Sequence, residues 1–223
     1  DVGCGFGRSA YFAARFGAEV VAVDLDAAIL ESCRENTSSS PRVHVVQADA
    51  EHLPFAPATF DLAYAFGVLH HLDEPDRAFG ECSRVVRSGG RFSVWVYGPR
   101  QGTTAAMSAL VRGITRDMPS DELLNVSRMI ASGLRLTSHT PYRVLRHLPL
   151  AHSVVSHLPL HDHHRWPYEV VVADIYDRLR IPVTCTFTRE QIEARYVHEG
   201  YLDVQTTRRV RNNESFRATG IRR

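Results

Sequence analysis

Short apolar runs and amphipathic stretches alternate along the first hundred residues of this chain. AEVVAVDLD (18–26) is a valine-rich run ending in an acid, the pattern of a strand buried on both faces of a parallel sheet. VHVVQAD (43–49), FDLAYAFG (60–67) and RFSVWVYG (91–98) repeat the pattern. Between them, 8–17 reads as a short helix closed by Gly17, 27–36 as a second, and 75 to about 86 as a third with Pro75 at its first position. TSSSP (37–41) is a polar connector and RSGG (87–90) a turn. Strands alternating with helices predict a parallel sheet covered on both faces.

The periodicity then changes. Residues 99–187 hold helical patterns but no βα repeat, with helix starts at Pro119-Ser120 and Thr140-Pro141. WPYEVVVADIYDRLR (166–180) reads as the longest helical stretch. Thr188 and Gln191 form a capping box ahead of a helix ending near Gly200. YLDVQTTRRV and ESFRATGIRR then predict two strands joined through Asn212-Asn213, a hairpin, so the last strand must run antiparallel to its neighbours.

Chemistry first shows at DVGCGFG, where Gly3, Gly5 and Gly7 let a ligand approach the backbone and a helix N-terminus follows. The segment suits an anionic ligand group, and Gly5 to Ala10 also satisfies the relaxed dinucleotide pattern G-x-G-x-x-A; a plain tight turn is the simpler alternative. The loop normally follows a buried strand, so the sequence reads as N-terminally incomplete.

Composition narrows the choice. The 223 residues suffice for one α/β domain with an embedded subdomain, and a net charge of +1 gives no general drive toward nucleic acid or membranes. All 26 basic residues are arginine, which excludes Schiff-base, pyridoxal-phosphate and Walker-loop chemistry, each of which needs a lysine. Cys4, Cys33, Cys82 and Cys185 are scattered, consistent with a reduced cytoplasmic protein. No apolar run approaches the length of a membrane span.

DVGCGFG, VVAVDLD, VVQADAEHLPFAPATFDLAYAFGVLHHL, RVVRSGGRFSVWVYG and the terminal hairpin together resemble the class I S-adenosylmethionine-dependent methyltransferases, in the small-molecule branch related to ubiquinone biosynthesis. Ser88 stands where that family usually has proline. The resemblance implies a Rossmann-like, doubly wound, mostly parallel sheet with an antiparallel C-terminal strand. Residues 1–98 and 188–223 would bind the cofactor, and 99–187 would be a helical insertion over the acceptor.

The same resemblance implies the cofactor residues. Gly3, Gly5 and Gly7 would admit the methionine end, with Asp1 toward its ammonium and the Phe66 carbonyl beside it. Asp24 would accept from the ribose hydroxyls, Leu25 would pack on adenine, and Asp49 with the Ala50 N–H would read the base edge. Read alone, Asp24 and Asp49 are also plausible helix caps and Phe66 a core residue. His70 and His71 are the nearest general-base candidates, and a structural role for the pair is the favoured reading. In the insertion, His161, Arg165, Trp166 and Tyr168 are candidates for contacting the acceptor. The histidines at 152, 157, 161, 163 and 164 match no standard metal spacing, so no metal is expected. A nicotinamide-dependent oxidoreductase and a non-catalytic binding domain are the alternatives; the first lacks a Tyr-x-x-x-Lys pair.

Overall fold

The computed structural model describes residues 1–99, 111, 113–115, 117–180, 185–209 and 215–223. The chain divides into two compact units, 1–99 with 183–223, and 100–182.

In the first unit, β1 (Val20–Asp24) pairs in parallel with β2 (Val43–Gln47). β3 (Phe60–Phe66) pairs in parallel with β4 (Val86–Tyr97), which continues to β6 (Ser215–Arg222) and β5 (Tyr201–Arg209). The two sets meet at Val2. This residue bridges Val23 in parallel, and its N–H donates to the Tyr64 carbonyl at 2.9 Å. Residues 1–4 therefore fill the strand position between β1 and β3, giving the order β2, β1, 1–4, β3, β4, β6, β5. The chain moves outward in one direction through β1 and β2, and in the other through β3 onward. In open α/β sheets a reversal of this kind marks the strand ends, here those at 1–4, beyond which ligands bind.

β6 is antiparallel to both β4 and β5, as the hairpin pattern predicts. Asn212-Asn213 lies outside the described residues. Helices α1 (Arg8–Arg15) and α2 (Ala27–Thr37) pack with β1 around Ala10, Ala22, Leu30 and Cys33. The opposite face buries Phe92, Val94, Val96, Phe216 and Ala218 against Phe79 of α3 (Pro75–Arg84) and Tyr196. The RSGG segment differs from expectation. The third helix ends at Arg84 and pairing resumes at Val86, so the four residues form a bulge within β4, between the Phe60–Val86 and Leu62–Arg91 pairs. Gly90 sits there because a Cβ would strike the carbonyls of Arg87 and Asp61.

The second unit is helical: α4 (Ser120–Leu134), α5 (Thr140–Leu145), α6 (Pro149–Val155) and α7 (Tyr168–Arg180), with a π-helical segment at Arg135–His139 and a 3-10 turn at His161–Arg165. Its longest described helix is α4, at 15 residues, against 13 for α7. The polar opening turn of α4 hides its length, while the run of valines draws attention to α7. Ala131 packs with Val171, Val172 and Ile175 to form this unit's own core. Back in the first unit, α8 (Arg189–His198) starts at the predicted capping box, with Thr188 and Gln191 satisfying each other's backbone N–H.

Candidate active site

The glycine loop turns where strand-like residues 1–4 give way to α1, and its three glycines serve different needs. All three adopt positive φ, at 67°, 53° and 82° for Gly3, Gly5 and Gly7. A Cβ on Gly3 would run into Val68, and one on Gly7 would lie 2.6 Å from Cys33 Sγ. Gly5 has nothing within 4 Å of that position, so the side of the loop where its Cβ would stand is open. Gly3 and Gly7 hold the loop against its neighbours; Gly5 leaves room for a ligand.

Asp24, the last residue of β1, fastens this loop. The Gly5 N–H donates to its Oδ2 at 2.9 Å, and the Asp26 N–H to its Oδ1 at 3.2 Å. Each oxygen keeps a further lone pair for a ligand hydroxyl. The helix cap is Asp26, whose Oδ1 accepts from Ala28 and Ile29 at 2.8 and 3.3 Å. Leu25, between the two acids, is 66% exposed, and its carbonyl accepts from Gln47 at 2.9 Å.

At the end of β2, Asp49 closes its own turn. The Glu51 N–H donates to Oδ1 at 2.8 Å, and the His52 ring lies 3.4 Å from Oδ2. Ala50 is half-buried beside it. The Asp49 carboxylate thus has the capping partners that the simpler reading foresees, with lone pairs to spare.

Two polar atoms near the loop lack hydrogen-bond partners among the described residues: Asp1 Oδ2 and the Tyr64 hydroxyl, both buried. Burial pushes the Tyr64 hydroxyl up to about 12 and the Cys4 thiol up to about 12, so both are neutral donors near pH 7. A bound cofactor or ordered water supplies what such atoms lack. Together with the open Cβ side of Gly5, these atoms fit a ligand with a cationic or hydrogen-bonding end beside the loop.

An aromatic group follows β3. Phe66 stacks on Tyr64 at 5.1 Å; Trp95 and Tyr97 of β4 pack edge-to-face at 5.2 Å; His70 lies 4.1 Å from Tyr97 and 4.2 Å from His71. His70 is fully buried, and its Nδ1 accepts the Tyr97 N–H at 3.4 Å. In that tautomer Nδ1 carries the lone pair and Nε2 the proton. His71 is half-buried.

The insertion residues lie in the second unit. His161 is buried, with Nδ1 2.9 Å from the Leu158 carbonyl and its ring 4.7 Å from Tyr142. Trp166 stacks on His163 at 3.8 Å; the Tyr168 hydroxyl donates to the Arg128 carbonyl at 3.1 Å; Arg165 is exposed. His161, Trp166 and Tyr168 thus pack within their own unit, and no three metal-ligating side chains cluster among the described residues. Tyr64, Trp95, Tyr97 and Val68 were not singled out from sequence. The alternation of β3 and β4 does place Tyr64, Phe66, Trp95 and Tyr97 on one face, which was the available signal.

Residues 1–94 match the family described as "Methyltransferase domain". The chain is 33% identical over 138 residues to a demethylmenaquinone methyltransferase of Clavibacter sepedonicus, covering 57% of this chain and 56% of that protein. It is 36% identical over 98 residues to the sterol 4-C-methyltransferase strm-1 of Caenorhabditis elegans, covering 43% and 29%. It therefore spans about half or less of the length of these relatives. Among solved structures, magnesium protoporphyrin IX methyltransferase of Synechocystis PCC 6803, solved with bound SAH, superposes with TM-score 0.57 at 12% identity, over all of this chain and 73% of that one. A SAM-dependent methyltransferase of Methanosarcina mazei gives 0.56 at 14%, over all of this chain and 90% of that one. Residues 1–94 thus carry the match to the methyltransferase domain family, and the first unit has the Rossmann-like fold seen in the S-adenosylmethionine-dependent methyltransferase structures.

Proposed function

We propose that this protein transfers a methyl group from S-adenosylmethionine to the O, N or C atom of a small molecule. The observation that carries the reading is the Asp24 carboxylate fastened to Gly5, at a point of the loop where the Cβ position is open. Asp24 accepts the ribose hydroxyls, the Gly5 segment receives the methionine end, and Asp1 Oδ2 gains its missing partner from the ammonium, directly or through water. Leu25 offers an exposed apolar surface to the adenine, and Ala50 its N–H. The relatives named above are all methyltransferases, which disfavours the nicotinamide alternative.

The bound cofactor supplies an already activated sulfonium methyl. The chain's own task is to hold an acceptor in line and keep water away. The Nδ1 bond of His70 favours a positioning role, fixing the segment after β3 against Tyr97. His71 is the better placed of the pair to take a proton where the acceptor must lose one. The insertion, residues 99–187, is proposed to supply acceptor contacts, with Arg165 and the exposed edge of Trp166 as the candidates. All four cysteines are free thiols, and among the described residues no helix is long and apolar enough to cross a membrane. A reducing cytoplasmic setting suits that chemistry.

The test is thermal shift with S-adenosylmethionine, S-adenosylhomocysteine and NAD. Stabilisation by the first two and not by NAD supports the assignment; stabilisation by NAD alone overturns it. Tritium transfer from labelled S-adenosylmethionine into a small-molecule extract then separates an enzyme from a binding domain.

A further inference from the structure

β6 contributes a cation to the aromatic group beyond β3. Arg217 pairs in register with Trp95, and Trp95 with Phe66, so the three residues form one row across β6, β4 and β3. The Arg217 guanidinium reaches back along this row and lies over the Phe66 ring, its carbon 5.4 Å from the centroid. Arg217 is exposed, and among the described residues no carboxylate pairs with it. The row stands at the cofactor end of the sheet. A Cβ on Gly67 would lie 3.2 Å from the Trp95 ring, and the next residue, Val68, is the one that packs on Gly3.

The planar guanidinium of Arg217 carries more N–H donors than its contact with the Phe66 ring engages, set as a fork. A fork of this geometry matches a carboxylate in bidentate fashion. Trp95 and the exposed edge of Phe66 beside it offer apolar surface to a planar body. We propose that Arg217 selects the methyl acceptor, holding the carboxylate of a planar, aromatic or conjugated acid whose body lies against Phe66 and Trp95. The proposal rests on the methyltransferase reading and adds the acceptor's chemical class. The cofactor's own methionine end is the other source of a carboxylate near this row, and the experiment must separate the two.

The wild-type protein and the variants Arg217→Gln and Arg217→Lys would be titrated by calorimetry, first with S-adenosylhomocysteine alone. Saturated with it, they would then be titrated with 2-naphthoate or its uncharged counterpart 2-naphthamide. The expected result is at least tenfold tighter binding of naphthoate than naphthamide to wild type, loss of that preference in Arg217→Gln, partial retention in Arg217→Lys, and S-adenosylhomocysteine affinity unchanged within twofold. Equal binding of the two probes, binding of neither, or a preference that survives Arg217→Gln overturns the proposal. A tenfold loss of S-adenosylhomocysteine affinity in Arg217→Gln also overturns it, by assigning the arginine to the cofactor's carboxylate. Failure of wild type to bind S-adenosylhomocysteine at all would instead defeat the methyltransferase reading beneath it.

Discussion

Two aspartates separated by one residue divide the work at the end of β1. Asp26 caps α2 through two backbone N–H groups, while Asp24 turns back to the glycine loop. Asp26→Ala should cost about 1 kcal/mol of stability, the usual value of a lost cap, and leave cofactor affinity alone. Asp24→Ala should weaken S-adenosylmethionine binding by about 2–3 kcal/mol, because two charge-assisted hydrogen bonds are lost and do not add fully. Denaturant melts and calorimetry on both variants check the division; wild-type affinity in Asp24→Ala would remove the ribose assignment. The glycines separate in the same way. Gly3→Ala should lower stability by about 1–3 kcal/mol, since the new methyl overpacks against Val68 at a left-handed φ. Gly5→Ala meets no neighbour, so its folding cost is about 1–2 kcal/mol from φ alone. Its larger effect should appear in cofactor affinity, because the added methyl occupies space meant for the ligand.

Among elements, those fixed by local chemistry were legible in the sequence. The capping box at Thr188 and Gln191, the left-handed Gly17 after α1 and the antiparallel β6 all follow from two to four neighbouring residues. Thr188→Ala should accordingly cost about 1 kcal/mol, seen as a lower melting midpoint with unchanged cofactor affinity. What sequence could not give was set across the sheet. RSGG carries a turn's residues, yet lies within β4 because strand pairing on both sides leaves the extra residues to bulge. Asp24 and Asp49 matched both a cap and a ligand contact. Only the fold shows that Asp24 faces Gly5 while Asp49 accepts from its own turn. Arg217 was hidden for the same reason: its partner Phe66 is 151 positions away in sequence, and two strand registers bring them together.

On the scale of the whole molecule, the arginine-only composition gives the protein a distinctive response to alkali. No lysine titrates near pH 10 to blur the behaviour of the buried acids. Burial pushes the Cys82 thiol and the Tyr201 hydroxyl up to about 12, alongside Cys4 and Tyr64. These groups keep their protons in the fold but lose them in the unfolded chain above its ordinary thiol and phenol values. The unfolded state then binds fewer protons, so stability must fall as pH rises. The loss should begin near pH 9 for the thiols and near 10 for the phenols, and run to about 12. Each group fully titrated in the unfolded chain but not in the fold contributes a slope of about 1.4 kcal/mol per pH unit. Unfolding free energies measured from pH 8 to 11 should be level at first and then decline steeply. Cys82→Ala should reduce the slope from pH 9 upward, although its cavity lowers the whole curve. A Cys82→Ala curve parallel to wild type would show that this buried thiol does not hold its proton.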